Sequence, residues 1–369
     1  MKVYHLLSGN LLHITPEILK TLIITKDKIS NDTSIEHVFC IKMFGEKMLY
    51  DSVAQNPYQA ILNEFDYSDY VYFYSHKDLV RFFIKASPLD KVIIHGLPRA
   101  RDFAITSIAL LLLNRKLLNR STALCWGSDY RVKPTSFIKK TFNLFMKNVL
   151  SRFKYVLAIT TEDEVEIKKY MPRANVVYTP YMTENKRQLV DKIKKEDDKA
   201  VVMVSHSGWP HNYHKHSFEL LKKFAGRIKV VCPLCYGNAT YIQSVIDDGT
   251  ALFGSDFSYF TELKTPDEYK EFLRTIDIYL SSAEIQTGLG AISLSMISGS
   301  KVYVKGNVYT SLLKDRFHIF NAEDINTLTY EEFVKPLPRE YALENIDIFN
   351  ILHCDGDEIL EAWRKVYEY

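Results

Sequence analysis

Two stretches decide the fold of this 369-residue chain: Val204-Ser205-His206-Ser207-Gly208-Trp209-Pro210-His211-Asn212 and Glu284-Ile285-Gln286-Thr287-Gly288-Leu289-Gly290-Ala291. Each follows a short apolar run, Ala200–Val204 in one case and Ile276–Leu280 in the other, and each precedes a helix-like segment. A tight loop between a strand and a helix presents backbone N–H groups and the positive end of a helix dipole. Two such loops in one half of the chain predict a binding site for a diphosphate.

Strand-like runs alternate with helix-like segments through both halves of the chain, which predicts a parallel sheet covered on both faces in each half. The runs are short and rich in apolar or β-branched residues. In the first half they are Val3–Leu7, His37–Ile41, Tyr70–Tyr74, Lys91–His95, Ser121–Trp126 and Tyr155–Ile159. In the second half they are Val201–Val204, Ile228–Val231, Ser258–Phe260, Ile278–Ser281 and Lys301–Val304.

A charged segment divides the two halves. Glu184–Lys199 is dense in Lys, Asp and Glu and contains no Gly, so it reads as an exposed linker or a solvated helix. We therefore predict a first Rossmann-like domain over 1–183, which would bind an acceptor, and a second over 184–335, which would bind a donor. The tail 336–369 is predicted to be helical and to pack back on the first domain.

Open α/β sheets bind ligands at the carboxyl ends of their strands. Two such domains facing a central cleft can hold a donor and an acceptor together, which is the GT-B architecture of glycosyltransferases. The fold class is therefore predicted as α/β of GT-B type. No GxGxxG motif follows the first strand, so the fingerprint of a dinucleotide site is absent from the sequence.

The chain is nearly neutral, with a formal net charge of +2, which argues against a dedicated nucleic-acid-binding protein. Its basic residues concentrate between Arg115 and Lys154, interleaved with apolar residues. That segment fits either an anionic membrane surface or a half-buried helix with a solvated basic face. On the membrane interpretation the surface is formed by Lys139, Lys140 and Lys147.

Several observations bear on the compartment. The five cysteines are scattered, and the Cys232-Pro233-Leu234-Cys235 spacing lacks the second pair that a zinc site needs. No signal peptide is visible at the start, and the longest apolar run, Ile105–Leu113, is too short to span a bilayer. We expect a cytoplasmic protein that is soluble or peripheral on a membrane.

The two loops supply candidate donor-binding residues. In the first loop Gly208 permits close approach of a phosphate, Ser207 adds a hydroxyl donor, and Asn212 or His214 would face the ligand. The alternative is a tight turn with surface histidines. In the second loop Gly288 and Gly290 free the turn. Thr287 can cap the following helix. Gln286 can donate to a sugar or phosphate oxygen, and Glu284 can accept from hydroxyls. The alternative is a helix cap without a ligand.

Catalytic candidates come from the first half. Trp126-Gly127-Ser128-Asp129 and His95-Gly96 each end a strand. Inverting glycosyl transfer needs a base for the acceptor hydroxyl, and Asp129 leads with His95 second. Alternatively Asp129 is paired with Arg131 or Lys133. No acidic pair follows a strand in the manner of a metal-binding DxD motif, so we expect a mechanism without a metal ion or other cofactor. Helix dipoles and basic side chains would then stabilise the departing diphosphate.

At these loops the chain resembles a family of bacterial transferases. The resemblance runs from roughly His95 to Asn307 and rests on short pieces in matching order. They are His95-Gly96, Trp126 to Asp129, Ala158 to Asp163, Tyr178-Thr179-Pro180, Ser207-Gly208 with Asn212 and His214, Val230-Val231 and Pro233 with Tyr236, Tyr241-Ile242, and Gln286 with Gly288 and Gly290. The family adds 4-acetamido-4,6-dideoxygalactose from its dTDP donor to a lipid-linked disaccharide during enterobacterial common antigen synthesis.

The resemblance implies a GT-B enzyme with a dTDP-amino-sugar donor and an undecaprenyl-diphosphate-linked glycan acceptor. It implies a position on the inner face of the bacterial cytoplasmic membrane, and it adds Tyr236 to the donor-binding set. We therefore expect a glycosyltransferase of surface polysaccharide synthesis, such as O-antigen or common antigen. Two alternatives stay open, a non-catalytic nucleotide- or sugar-binding protein and a nucleotide-sugar epimerase of the same two-domain plan.

Overall fold

The computed structural model describes residues 1–8, 15–29, 35–43, 57–96, 108, 110, 112–125, 136–183, 185–193 and 199–367. The chain divides into two compact units. The first consists of Met1–Asn185 with Leu352–Tyr369, and the second of Lys186–Ile351. Each unit is built on a sheet whose described strands all pair in parallel. This confirms the α/β class that the alternation of strands and helices predicts.

The sheet of the first unit has seven described strands in the order β3-β2-β1-β4-β5-β6-β7. These are β1 (Lys2–Ser8), β2 (Glu36–Lys42), β3 (Tyr70–Phe73), β4 (Lys91–His95), β5 (Thr122–Cys125), β6 (Tyr155–Ala158) and β7 (Val176–Tyr178). The helices of this part of the chain are α1 (Thr15–Ile29), α2 (Pro57–Glu64), α3 (His76–Lys85), α4 (Arg115–Arg120), α5 (Phe137–Leu150) and α6 (Thr161–Tyr170). Strand β1 is central and pairs with β2 and β4.

Successive side chains of a strand point to opposite faces, so the sheet has two apolar layers. On one face Tyr4 and Leu6 of β1 join a buried cluster that includes residues of α3 and α5. On the other face Val3 and Leu7 join a cluster that includes residues of α1 and α2. Between Val3 and Leu7 stands His5, a fully buried polar residue on an otherwise apolar face.

The sheet of the second unit has six strands among the described residues, in the order β10-β9-β8-β11-β12-β13. They are β8 (Ala200–Val204), β9 (Ile228–Pro233), β10 (Phe257–Phe260), β11 (Ile278–Leu280), β12 (Lys301–Val304) and β13 (Phe320–Asn321). The helices are α7 (His214–Leu221), α8 (Ala239–Phe253), α9 (Pro266–Arg274), α10 (Leu289–Ile297), α11 (Gly306–Lys314), α12 (Tyr330–Val334) and α13 (Arg339–Asn350). Both predicted loops lie at the carboxyl edge of this sheet, since they follow β8 and β11.

The tail departs from the prediction that it begins at residue 336, because α13 belongs to the second unit. Asn345 receives a hydrogen bond from the backbone N–H of His318 at 2.7 Å, and Asn350 receives one from the backbone N–H of Arg187 at 2.7 Å. These buried amides fix α13 to the second unit. The chain returns to the first unit only through a short π-helix, Ile351–Asp355, and then α14 (Asp357–Tyr367).

Helix α14 completes the core of the first unit. Trp363 and Tyr367 are buried in the same cluster as Val3 and Leu7, and the indole N–H of Trp363 donates to the carbonyl of Pro180 at 2.9 Å. Lys91 of β4, itself buried, donates to the carbonyl of Tyr367 at 2.8 Å. In the part of the chain that the structure describes, no helix combines the length and apolar character that crossing a bilayer requires.

Candidate active site

The direction in which strands are added reverses beside β8 in the second unit. Strands β9 and β10 lie on one side of β8, and β11, β12 and β13 lie on the other. Ligands of open α/β sheets bind outside the carboxyl ends of the strands at such a reversal. The loops after β8 and β11 flank this point, and they are the two loops that the sequence singles out.

The loop after β8 is braced by its own polar groups. The Asn212 side-chain amide donates to the carbonyl of Ser207 at 2.6 Å and to its hydroxyl at 2.9 Å. The backbone N–H of Ser205 donates to Leu280 of β11 at 2.9 Å. Ser205 and Tyr213 hold positive φ values of 58° and 51°. Backbone strain of this kind persists where the surrounding structure fixes it, and it is common at ligand-binding loops.

Gly208 is required for contact with the neighbouring loop. Its N–H donates to the carbonyl of Tyr236 at 2.8 Å, and it forms a parallel bridge with Gly237. A Cβ on Gly208 would lie 2.8 Å from Cδ1 of Ile242, and a Cβ on Gly237 would lie 2.7 Å from Cα of Gly208. Packing alone therefore demands glycine at both positions. Phosphate binding by Gly208 stays a prediction.

Thr287 does not cap α10 as predicted. The N-cap residue is Gly288, in the left-handed conformation, and no side chain caps the helix. The hydroxyl of Thr287 lies instead 3.4 Å from Nε2 of His206. The Thr287 side chain therefore contacts the loop after β8, and this contact links the two predicted loops.

Helices α7, α10 and α11 begin at this edge without a side-chain cap. Helices α8, α9 and α12 are capped in the usual way, by Asn238, Thr265 and Thr329. The first N–H groups of an α-helix have no partner within the helix, so they need a cap, water or a ligand. Helices α7, α10 and α11 follow β8, β11 and β12, the strands at and beside the reversal, whereas α13, which also lacks a side-chain cap, follows α12 and not a strand.

Two buried side chains near the start of α7 carry polar atoms without a protein partner. Oδ1 of Asn212 and Nε2 of His214 have no hydrogen bond, although both residues are fully buried. Nδ1 of His214 is bonded to the Tyr241 hydroxyl at 3.3 Å. Burial, followed by the nearby His206, lowers the pKa of His214 to about 3, so the ring is neutral at pH 7. Buried polar atoms normally have a hydrogen-bond partner. The absence of a protein partner for Oδ1 of Asn212 and Nε2 of His214 therefore favours a bound ligand at this position.

A charged cluster lies beside the loop after β11. Lys305 Nζ is 2.7 Å from Glu323 and 3.8 Å from Glu284, and Nε2 of His216 is 2.8 Å from the same oxygen of Glu323. Hydrogen bonds from Lys305 and then His216 lower the pKa of Glu323. A Cβ on Gly306 would lie 2.6 Å from Cα of Glu284, so the loops after β11 and β12 touch through their backbones. The side chain of Glu284 itself is 61% exposed.

The remaining predicted donor residues lie around the same edge. Tyr236 follows β9, is half-buried, shares a hydrogen bond with Ser207, and has its pKa raised by burial. Gln286 is half-buried, whereas Gly290 is exposed in the first turn of α10 and has open space where a side chain would be. The structure therefore places the whole predicted donor set at one edge of one sheet.

The predicted bases of the first unit have different positions. Asp129 lies outside the described residues, together with Trp126–Ser128. His95 ends β4 but is buried, and both of its ring nitrogens have protein partners, His5 at 3.1 Å and the Tyr181 hydroxyl at 3.2 Å. Burial lowers the pKa of His95 to about 3, so the ring is neutral at pH 7.

The predicted membrane-facing lysines lie on α5. Lys140 is exposed, and the ammonium of Lys147 lies 3.9 Å from the ring centroid of Tyr170. The side chain of Lys139 is outside the described part. Two large apolar residues on the same helix are exposed, Phe137 at 83% and Leu144 at 62%. The outer face of α5 is thus apolar as well as basic.

The sequence missed several residues of the donor edge. Glu323 and the hydrogen-bonded hydroxyls of Ser217 and Ser282, 2.8 Å apart, belong to elements that only the fold brings together. Among the described residues no three His, Cys, Asp or Glu side chains are arranged to hold a metal ion. The expectation of metal-independent catalysis stays a prediction.

The two α/β units, each built on a parallel sheet, show the class of the protein: it has the two-domain, Rossmann-like GT-B fold of glycosyltransferases. Residues 40–336 match the family model described as 4-alpha-L-fucosyltransferase, glycosyl transferase group 56. The chain belongs to this family and is a glycosyltransferase.

Solved structures share the fold at low sequence identity. Anabaena Alr3699/HepE, in complex with UDP and glucose, is 11% identical with a TM-score of 0.67, and the match covers 100% of each chain. A glycosyltransferase from Rickettsia africae is 14% identical with a TM-score of 0.64, covering 100% of this chain and 97% of the other. A mutant of S. aureus TarM, in complex with fondaparinux, alpha-GlcNAc-glycerol and UDP, is 13% identical with a TM-score of 0.55. That match covers 80% of this chain, which spans only 58% of the TarM chain.

Proposed function

We propose that the chain transfers an amino-deoxy sugar from a dTDP-linked donor to an undecaprenyl-diphosphate-linked oligosaccharide. The product would enter a bacterial surface polysaccharide such as O-antigen or enterobacterial common antigen. One observation carries the donor half of this proposal. Helix α10 begins at the strand reversal without a side-chain cap, next to the Lys305 cluster and two unmet buried polar atoms. The UDP complexes of HepE and TarM support a nucleotide-sugar donor.

The donor site follows from these groups. The diphosphate would bind the N–H groups at the start of α10, where the helix dipole favours negative charge, and the ammonium of Lys305, 3.8 Å from Glu284 of the same loop, would supply a cation. Glu284, exposed and 3.8 Å from Lys305, would accept hydrogen bonds from ribose or sugar hydroxyls. Asn212 and His214 would use their unmet Oδ1 and Nε2 atoms toward the donor. Ser207, Tyr236 and Gln286 complete the set.

The chemistry would need no metal ion. As the sugar–phosphate bond breaks, negative charge grows on the nucleoside diphosphate, and fixed donors at that position stabilise the transition state. The uncapped N–H groups of α10 and the ammonium of Lys305 supply such donors. The acceptor hydroxyl needs a base, and Asp129, which follows the carboxyl end of β5, is our leading candidate.

The acceptor would be reached at the inner face of the cytoplasmic membrane. Helix α5 exposes Phe137 and Leu144 with Lys140 between them, and apolar side chains beside cations are the composition that binds anionic bilayers. A peripheral position would bring the first unit to a lipid-linked substrate.

A thermal-shift screen of nucleoside diphosphates and nucleotide sugars, with and without Mg²⁺, tests the donor. Binding to the folded state raises the melting temperature by an amount set by ligand concentration over the dissociation constant. We expect dTDP to raise it equally in both conditions. A preference for UDP or GDP would retain the transferase but reject the dTDP donor. No shift with any nucleotide would reject the proposed donor site.

The base is tested separately with Asp129→Asn, and the control is Asp69→Asn, which changes an exposed aspartate of the first unit just before β3. Asp129→Asn should abolish transfer and keep the nucleotide-induced shift. Transfer at the rate of the unmodified protein would remove Asp129 from the mechanism.

A further inference from the structure

Two aromatic side chains of the loop after β8 are exposed at the edge where the donor is proposed to bind. Trp209 is 42% exposed and Tyr213 is 46% exposed. Tryptophan is highly buried on average, and both side chains carry a polar group at the tip of an apolar ring. Neither the indole N–H of Trp209 nor the hydroxyl of Tyr213 has a hydrogen-bond partner among the described residues. The loop therefore presents two rings whose polar tips are available to a ligand.

The backbone that carries these two rings is held in place. Trp209 and Tyr213 flank one 3₁₀ turn, Pro210–Asn212. The N–H of Asn212 donates to the carbonyl of Trp209 at 3.0 Å, and the N–H of Tyr213 donates to the carbonyl of Pro210 at 3.2 Å. A 3₁₀ helix rises by about 2 Å for each residue, so the two flanking residues lie close together. Asn212 itself is fully buried and anchors the turn to the rest of the loop.

The rings around Trp209 favour a neutral partner. The imidazole of His211 lies parallel to the indole of Trp209, with the ring centroids 6.3 Å apart and the ring planes 9° apart. Burial lowers the pKa of His211 from its ordinary value of 6.5, so this imidazole is mainly neutral at pH 7. A neutral aromatic pair offers no charge to a phosphate, whereas its apolar faces match the C–H face of a sugar ring. The composition of the pair therefore favours the sugar over the diphosphate.

The position of the loop indicates which part of the donor these rings would meet. The hydroxyl of Thr287, the residue before the N-cap of α10, lies 3.4 Å from Nε2 of His206. Trp209 follows His206 by three residues, which span at most about 10 Å of extended chain. In a nucleotide sugar the pyranose is bonded directly to the diphosphate, whereas the base is separated from it by the ribose. The first six-membered ring beyond a diphosphate at α10 is therefore the sugar.

We propose that Trp209 and Tyr213 determine specificity for the donor sugar. The apolar C–H face of the pyranose packs on the indole of Trp209, and a polar group of the sugar hydrogen-bonds to the hydroxyl of Tyr213. The C6 methyl group of a 4,6-dideoxy sugar enlarges that apolar face. This assignment rests on the proposed function, because that function supplies the nucleotide-sugar donor. It gives the two rings to the sugar and not to the nucleotide.

The test compares two ligands of the full chain by calorimetric titration, dTDP and dTDP-4-acetamido-4,6-dideoxygalactose. Trp209→Ala should lower the affinity for the nucleotide sugar about tenfold, which corresponds to about 1.4 kcal/mol, and should leave the affinity for dTDP unchanged. Trp209→Phe keeps an aromatic face and should recover most of the lost affinity. An equal loss for both ligands would assign Trp209 to the nucleotide and overturn the proposal, as would an unchanged affinity for the nucleotide sugar.

The hydroxyl of Tyr213 is tested with a matched pair of variants. Tyr259 on β10 of the same unit is also 46% exposed, so Tyr259→Phe removes a hydroxyl of equal exposure elsewhere. Tyr213→Phe should lower the affinity for the nucleotide sugar about fivefold, the loss expected for one hydrogen bond, and should not change the affinity for dTDP. Tyr259→Phe should bind both ligands like the unmodified protein. Equal affinities of the two variants for the nucleotide sugar would overturn the contact with Tyr213.

A third variant separates sugar binding from support of the loop. Tyr213 has a φ of 51°, a left-handed conformation that glycine adopts without a steric cost. Tyr213→Gly should therefore melt at a temperature no lower than the unmodified protein, yet bind the nucleotide sugar at least as weakly as Tyr213→Phe. A lower melting temperature together with weaker binding of dTDP would assign Tyr213 a structural role and overturn the proposal.

The outcomes distinguish this proposal from the function on which it rests. If the unmodified protein binds neither ligand, the proposed donor is rejected and the sugar contact is rejected with it. If the unmodified protein binds the nucleotide sugar and the variants of Trp209 and Tyr213 bind it equally well, the proposed function stands and the sugar contact alone is rejected.

Discussion

Gly288 packs against the imidazole ring of His206, and through this contact the loop after β11 meets the loop after β8. A Cβ on Gly288 would lie 2.8 Å from Cε1 of His206 and closer still to Nδ1. Gly288 also has a φ of 66°, which starts α10 in the left-handed conformation. Residues other than glycine are therefore disfavoured at position 288 for two reasons, the left-handed backbone conformation and the lack of space for a Cβ atom.

Replacing this glycine should separate the two loops. Gly288→Ala should destabilise the protein by about 3 kcal/mol, about 1 from left-handed backbone strain and the rest from overlap with His206. Nucleotide binding should weaken as well, since the start of α10 moves. Urea denaturation and a dTDP titration measure the two effects.

The control for this variant is Gly226→Ala. Gly226 also has a positive φ, +80°, but its Cβ would have no atom within 4 Å. Gly226→Ala should therefore lower the free energy of unfolding only by the cost of the left-handed backbone conformation, about 1 kcal/mol. Equal losses in both variants would show that the contact with His206 contributes nothing.

Lys305 is expected to bind the diphosphate. Lys305→Met should weaken dTDP binding about tenfold, the loss of one charge-assisted hydrogen bond of ~1.5 kcal/mol. It also leaves Glu323 and Glu284 without their cation, which adds repulsion toward a phosphate. Calorimetric titration measures the affinity, and the control is Lys314→Met, in the last turn of α11, the helix that begins directly after Lys305. Equal affinities for the two variants would exclude Lys305 from the site.

The buried histidines of the first sheet, His5, His37 and His95, make stability depend on pH. Burial lowers the pKa of His37 to about 4 and of His95 to about 3, whereas an unfolded chain has the ordinary value of 6.5. The unfolded state therefore binds more protons between these values. The contribution of each neutral ring to the free energy of unfolding is complete above pH 6.5. It is lost as the pH falls, toward 4 for His37 and toward 3 for His95, and by pH 5 the loss is about 2 kcal/mol for each ring.

Urea denaturation at pH 7 and pH 5 measures this loss. His37→Asn removes one of the buried imidazoles, so the free energy of unfolding of this variant should fall by about 2 kcal/mol less between the two pH values. His214 has a lowered pKa for the same reason, and its contribution cancels because it is present in both proteins. The same pH dependence in both proteins would contradict the neutral state assigned to His37.

Helix α5 should bind anionic vesicles through its outer face. Phe137 and Leu144 stand two turns apart with Lys140 between them, so they share one face. Phe137→Ser with Leu144→Ser should lower partitioning onto phosphatidylglycerol vesicles about tenfold. Neutralising Lys139, Lys140 and Lys147 should release the protein as well, at about 1 kcal/mol for each cation.

Sedimentation with vesicles checks both variants. Leu263→Ser is the control, since Leu263 is 64% exposed but lies in the second unit. Sedimentation that depends equally on Leu263 and on the α5 residues would indicate nonspecific adhesion. Unchanged sedimentation of the triple lysine variant would reject the electrostatic part.

The sequence predicts the parallel sheets because strands that are buried on both faces consist almost entirely of apolar residues. β8 and β9 are almost continuous apolar runs bounded by Gly- and Ser-containing loops. It also identifies the loops after β8 and β11, since strand, small residues and helix start are contiguous in the chain. These features depend on neighbours in sequence, and the structure places both loops at one edge.

The hydrogen bonds that join His5 to His37 and to His95 are the opposite case. Each histidine stands in a strand-like run, yet nothing in the sequence states that β1 lies between β2 and β4 or that Val3 pairs with His37. Strand order and register arise from packing of the whole unit. For the same reason the sequence does not predict the ion pair between Glu323 and Lys305, which forms only because β12 and β13 are neighbours. Thr287 looked like a helix cap, but its contact with His206 comes from a loop on another strand.

The position of α14 has a consequence for the order in which the protein is made. The second unit is one continuous stretch of chain, whereas the first contains Trp363 and Tyr367 in its core. A ribosome therefore completes all the residues of the second unit before it supplies the last layer of the first. During that interval the part of the first unit's core that Trp363 and Tyr367 cover stays exposed, because the helix that carries them is not yet synthesised.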